Sequence, residues 1–145
     1  MEVGDVCSRD VYIVRPDEPL ADAAREMDKR HIGAVVVVES RDEVVRPVGI
    51  VTDRDIVCGQ IDRNKDLFRL TVGEVMTPRP LSFEESDDAA QALQGMSAKA
   101  VRRAPVVNSA GELVGIVTFD DLLPVVADEL TALAKLIGTQ ARAER

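Results

Sequence analysis

The sequence predicts an α/β (α+β) fold made of two copies of one β-α-β-β-α unit, followed by an amphipathic C-terminal helix. Three observations predict it. The chain of 145 residues is written twice: Val3-Gly4-Asp5-Val6 returns as Val72-Gly73-Glu74-Val75, and Val48-Gly49-Ile50-Val51-Thr52 returns as Val114-Gly115-Ile116-Val117-Thr118. Leu20, Ala23, Ala24, Met27 and His31 fall at helical spacing, and Ala89, Ala92, Leu93, Met96 and Ala100 repeat them at the same offset. Val-rich runs at 34–38 and 104–107 are apolar on both faces, as in strands covered on both sides.

Taken in order, the first strand is expected at 11–14 and its twin near 81–83. Each helix opens on start signals, Asp17-Glu18-Pro19 in the first copy and Ser86-Asp87-Asp88 in the second. Beyond the Val-rich runs the first copy carries three more residues, and 40–47 reads as a loop that absorbs them, since closure entropy depends weakly on loop length. In the second copy Asn108-Ser109-Ala110-Gly111-Glu112 reads as a tight hairpin turn. The polar stretch 59–71 is read as the connection, which places one repeat at 1–58, the other at 72–123 and a tail at 124–145. In that tail Leu130, Leu133, Ala134 and Ile137 recur at helical spacing behind Asp128-Glu129, a stripe suited to packing on the body or on a second subunit. It lacks the Lys/Arg-rich face of a membrane-surface helix. One unit alone would bury too little surface, so the two copies are expected to pack together.

Composition excludes several classes. Hydrophobic residues make up 46% of the chain but aromatics only 3%, with no Trp, so the core is aliphatic. A net charge of −8, spread over both halves, repels phosphate backbones and argues against nucleic acid. Cys7, Cys58 and the single His31 make neither a disulfide framework nor a zinc set. No run approaches the ~20 apolar residues of a membrane span, and the acidic start MEVGDVCSRD is unlike a secretory leader, so a cytoplasmic protein with no membrane partner is expected. No Ser–His–acid order, metal spacing or Gly-rich phosphate loop is present, so neither an enzyme nor a metal site is expected.

The sharpest local signal is Thr52-Asp53-Arg54-Asp55 and its twin Thr118-Phe119-Asp120-Asp121, each at a strand-to-helix corner. Thr-x-x-Asp before an apolar run is in the first place a helix capping box. Capping is compatible with binding, because a helix N-terminus favours an anion and a carboxylate can accept from two vicinal hydroxyls. Gly49 and Gly115, just before, allow close approach of backbone or ligand. Arg102-Arg103 reads either as a solvated basic patch or as a phosphate contact. His31 sits at a helix C-terminal turn, where a dipole interaction is the simpler role. Cys7 and Cys58 read as reduced small hydrophobes, with a redox role left open for Cys7. The methionines read as core fillers.

Two copies of this unit, each closing on Gly-Ile-Val-Thr-x-x-Asp, together with Arg102-Arg103-Ala104-Pro105-Val106-Val107, resemble a tandem pair of cystathionine-β-synthase (CBS) domains, a Bateman module, over residues 3–123. The resemblance implies pseudo-two-fold packing of the repeats, a homodimer, and two clefts that take an adenosyl ligand such as AMP, ADP or ATP, with no other cofactor. It implies that the main cleft uses Thr118, Asp120 and Asp121 with Ile116, Arg102 and Arg103, opposite Cys7, Tyr12, Ile32, Gly33 and Ala34. The second cleft would use Thr52, Arg54 and Asp55 with Met76, Leu81 and Val101. The main cleft, credited with the arginine pair, is expected to be the better nucleotide site. The expected role is regulatory, exerted in trans on an unidentified protein effector; the alternative is a ligand-free structural or protein-interaction module.

Overall fold

The computed structural model describes residues 1–143, so the last two residues of the expected tail lie outside the described residues. The chain runs through α1 (Val3–Val6), β1 (Ile13–Val14), α2 (Leu20–Arg30), β2 (Ala34–Arg41), β3 (Val44–Thr52) and α3 (Asp53–Arg63). A single 3-10 turn, Leu67–Arg69, leads to α4 (Val72–Val75), β4 (Thr77–Pro78), β5 (Phe83–Glu84), α5 (Ala89–Lys99), β6 (Arg103–Val107), β7 (Leu113–Thr118) and α6 (Phe119–Ala143). The two copies are built alike down to local detail. The matching helices α2 and α5 both end on a left-handed residue that is not glycine, His31 after α2 and Ala100 after α5, each at φ 55°. Both hairpins carry a bulge at the matching place, between Val37 and Val38 in one and between Val106 and Val107 in the other.

One sheet has the order β1-β2-β3-β4 and the other β5-β6-β7, the first strand of each parallel to its neighbour and the hairpin antiparallel. The repeats are interlocked through their opening segments. β4, which follows the second repeat's opening turn, is the fourth strand of the first repeat's sheet, with Ile50 opposite Thr77. In the matching place on the other sheet Ser8 bridges Ile116. The Val72 N–H donates to the Glu18 carbonyl at 2.9 Å, and the Val3 N–H to the Asp87 carbonyl at 2.8 Å. Each repeat therefore lends its first residues to the other.

The cores follow this exchange rather than the halves of the sequence. One gathers Leu20, Ala23, Met27, Val35, Val37, Val51 and Ile56 with Leu70 and Val72. The other gathers Ala89, Ala92, Met96, Ala104, Val106, Val117 and Leu122 with Val3. The alternation of the Val-rich strands places Val35 and Val37 on the core side, as period-2 geometry requires.

Four expectations need correction. The first strands are two residues each, Ile13–Val14 and Phe83–Glu84, because only these reach the parallel register with β2 and β6. Residues 40–47 are not a loop: the added length extends both arms of the hairpin, and the turn is Asp42-Glu43, with φ 53° and 64°. Two consecutive residues with positive φ form the tight turn that matches strand twist. The connection is shorter and less polar than its composition suggests, since α3 continues to Arg63 and Leu70 is buried in the first core. Finally, Pro124 does not separate a tail. It lies inside the 25-residue α6. There it forgoes one main-chain bond, which the rest of the helix tolerates.

Candidate functional site

Thr52 ends β3 and caps α3, and Thr118 ends β7 and caps α6. In the first box the Asp55 N–H donates to Thr52 Oγ1 at 3.1 Å and the Thr52 N–H donates to Asp55 Oδ2 at 2.9 Å. In the second the corresponding distances are 3.0 Å and 2.9 Å, between Thr118 and Asp121. Each reciprocal pair uses one lone pair of the carboxylate, and an ionised carboxylate has several. The cap thus orients Asp55 and Asp121 without exhausting them. The residue after each Thr is tied back to the segment before the Val-rich strand: the Asp53 N–H donates to the Gly33 carbonyl at 3.1 Å and the Phe119 N–H to the Arg102 carbonyl at 2.7 Å.

Around the first box the two repeats leave a cleft of about 360 Å³. Ile50, Thr52, Asp53, Arg54, Asp55 and Thr77 form one wall, and Ala100, Val101, Arg102 and Arg103 from the second repeat form the other. Of the residues expected in this second cleft, Thr52, Arg54, Asp55 and Val101 meet here. Met76 stands behind the wall, so close to Gly49 that a Cβ there would lie 2.5 Å from Met76 Sδ. Leu81 belongs elsewhere, packed against the second core.

The arginine pair stands between the two boxes. Arg103 pairs with Thr118 in the hairpin ladder, as expected beside Thr118, yet both Arg102 and Arg103 line the Thr52 cleft, which was not expected. The left-handed cap at Ala100 turns the chain, and residues 100–103 then face the first repeat's box. Arg103 reaches Gly33, where a Cβ would lie 3.0 Å from its Nη2. Arg102 forms a 3.1 Å ion pair with Asp120 and lies 5.7 Å from the centre of the Phe119 ring. Both partners of that pair are more than 70% exposed, so it contributes little to stability.

Around Thr118 the structure assembles Ile116, Asp121 and Cys7. Ser8 exchanges main-chain bonds with Ile116, which brings Cys7 Sγ to 3.0 Å from a Cβ position on Gly115. Burial pushes the Cys7 thiol above its ordinary pKa. Tyr12 is not there. It precedes β1, packs against the first core, and lies with its ring 4.7 Å from the Arg30 guanidinium carbon. Burial raises its phenol as well. Ile32 also packs on the first core, and Ala34 pairs with Thr52 at the end of the hairpin ladder. Reading the sequence did not assign Ile50, Thr77 or Ala100 to a cleft. The repeat itself carried the signal for two of them, because Thr77 is the twin of Ser8 and Ile50 the twin of Ile116.

A family model described as the CBS domain matches this chain twice, over residues 3–59 and 72–128. The chain belongs to the CBS-domain family. An uncharacterised protein of Methanopyrus kandleri is 35% identical over 125 residues, which cover 86% of this chain and 62% of that protein. The chain therefore spans less than two thirds of that relative's length. The CBS domain-containing protein YhcV of Bacillus subtilis is 33% identical over 120 residues, covering 83% and 81% of the two chains. The crystal structure of CBSX2 in complex with AMP superposes with a TM-score of 0.73 at 26% identity, covering 88% of this chain and 96% of that one. The paired CBS repeats with a C-terminal helix are the architecture expected of such a pair.

Proposed function

We propose that this CBS pair is a regulatory ligand-binding module and that the Thr52 cleft takes an adenine nucleotide or a related adenosyl compound. The observation that carries the reading is the convergence of the Thr52–Asp55 box with Val101, Arg102 and Arg103 of the other repeat around one cleft. Asp55 is suited to accept from the ribose hydroxyls, the aliphatic wall of Ile50 and Val101 to cover adenine, and the arginines to meet the polar 5′ end of the ligand. The AMP complex of CBSX2 supports adenosine as the common group. Because the arginines line this cleft, the role of main ligand site expected of the Thr118 cleft passes to the Thr52 cleft, and the Thr118 cleft becomes the secondary site.

Such a module acts by changing shape or partner affinity when occupied, on an effector in trans, and as a homodimer. The exposed side chains of Leu130, Leu133, Leu136 and Ile137 on α6 favour association with a second subunit or a protein partner. They are also what a ligand-free interaction module would display. Isothermal titration with AMP, ADP, ATP, adenosine and S-adenosylmethionine separates the two readings. Binding to the wild-type chain, weakened about 10- to 150-fold in D55A and less in D121A, supports the Thr52 assignment. Heat-free titrations with all five compounds, together with unshifted melting curves, overturn it.

A further inference from the structure

We infer that Asp53 sets the phosphate tolerance of the Thr52 cleft, its carboxylate occupying the place that an incoming 5′-phosphate would need. The inference rests on the reading of this cleft as an adenosyl site and names the class within it: adenosyl compounds carrying little negative charge at the 5′ position.

Three observations converge. First, the opening turn of α3 spends each of its leading N–H groups. The Asp53 N–H goes to the Gly33 carbonyl at 3.1 Å, the Arg54 N–H to Asp53 Oδ1 at 2.9 Å, and the Asp55 N–H to Thr52 Oγ1 at 3.1 Å. The middle donor, the one satisfied by a side chain outside the capping box, is held by an acidic oxygen, so Asp53 acts as an internal anion at the positive end of the helix. Second, the other oxygen of the same carboxylate lies beside Gly33, where Arg103 arrives from the second repeat. A Cβ built on Gly33 would lie 3.7 Å from Asp53 Oδ2 and 3.0 Å from Arg103 Nη2, so acid and guanidinium converge over one glycine from opposite repeats. Third, the twin box lacks this group. Phe119 stands in place of Asp53; its N–H donates to Arg102 at 2.7 Å, and its phenyl ring has no acceptor to offer the next amide.

The charges around the cleft make the consequence directional. Its arginines are Arg54, Arg102 and Arg103, and its acids are Asp53 and Asp55. Arg102 is held by Asp120 at 3.1 Å, and Asp55 is held by the Thr52 N–H. Apart from Arg102, which shares an exposed pair with Asp120, the guanidiniums of the cleft are Arg54 and Arg103, and Asp53 Oδ2 converges with Arg103 on Gly33. A neutral adenosine does not compete for that position, whereas each added phosphate must displace or repel the carboxylate.

The test is isothermal titration of the intact protein with adenosine, AMP, ADP and ATP, using wild type, D53N and D53A, with D55A to assign the heats to this cleft. Asp53 is exposed and outside both cores, so the variants retain the fold, which melting curves verify. In the wild type, affinity is expected to fall along the series as phosphates are added. In D53N the charge is gone but an acceptor for the Arg54 N–H remains; ATP is expected to bind about five- to tenfold tighter, with adenosine within about twofold. D53A, which also frees the N–H, is expected to gain at least as much. An unchanged ratio of adenosine to ATP affinity in both variants, with adenosine still binding, overturns the role of Asp53 and leaves the cleft assignment standing. No binding of any of the four compounds by any of the proteins overturns the cleft assignment and this inference with it.

Discussion

Ser8 and Ile116 exchange main-chain hydrogen bonds of 2.9 Å in both directions, joining the first residues of one repeat to the last strand of the other. Gly115 makes the approach possible: a Cβ there would lie 2.7 Å from the Ser8 carbonyl oxygen and 3.0 Å from Cys7 Sγ. The carbonyl is backbone and cannot rotate away. Gly115→Ala is therefore expected to push the opening segment off β7 and cost about 1–3 kcal/mol. Urea denaturation measures the loss, and unchanged stability would mean that the bridge is dispensable.

Ala100 holds φ 55° at the end of α5, a conformation that penalises any residue with a Cβ. Ala100→Gly removes the penalty while adding freedom to the unfolded chain. The balance is expected to stabilise the protein by about 0.5–1 kcal/mol, or roughly 2–4 °C in Tm. Differential scanning calorimetry decides it, and a lower Tm would show that the Cβ makes a contact of greater value in the cleft wall.

Cys58 is exposed, whereas Cys7 is partly covered and its thiol is held above the ordinary value by burial, an effect larger than the opposing attraction of Arg9. Thiolate is the reactive form. Iodoacetamide at neutral pH is expected to label Cys58 several-fold faster than Cys7 in the folded protein, with the difference lost in urea. Peptide mass mapping of timed samples provides the check.

Glu74 accepts from both the Thr71 N–H at 3.0 Å and the Thr71 hydroxyl at 3.1 Å, and these bonds hold its carboxyl below the usual value. A carboxylate depressed in the folded state stabilises that state above its unfolded pKa, about 4.5, and ceases to do so as pH falls through the lower folded value. Glu74→Gln is thus expected to melt below wild type at neutral pH, with the gap closing in acid. Melting curves between about pH 3 and pH 7 test this. A gap that stays constant across the range would remove the charge from the explanation.

The repeat and both capping boxes were legible in the sequence because they rest on local spacing: four residues decide a box, and eleven decide a helix such as α2. Which repeat each piece serves was not legible. Val3 and Val72 read as matching starts of their own units, yet Val3 is buried in the second core and Val72 in the first. The same crossing gives the arginines a second neighbour. Local spacing places Arg102 and Arg103 beside the Thr118 box, which Arg103 does adjoin, but only the interlocked packing brings them to the Thr52 cleft as well. Pro124 misled for a different reason. A proline is a local stop signal, and here packing of Leu122 and Val125 against the second core outweighs the one bond that it removes.

The continuity of α6 through Pro124 has a mechanical side. Twenty-five residues at 1.5 Å each make a rod roughly 37 Å long, seated by Leu122 and Val125 against the second core and exposed from Ala127 to Thr139. Rotating such a rod by about 5° about its seated end sweeps the far end through roughly 3 Å, by the geometry of that length. Its cap is the Thr118–Asp121 box, and Phe119, its first residue, donates its N–H to the Arg102 carbonyl in the wall of the Thr52 cleft. A displacement too small to disturb either core would thus be magnified at Leu133 and Ile137, on a helix whose first residue is bonded to the wall of the Thr52 cleft.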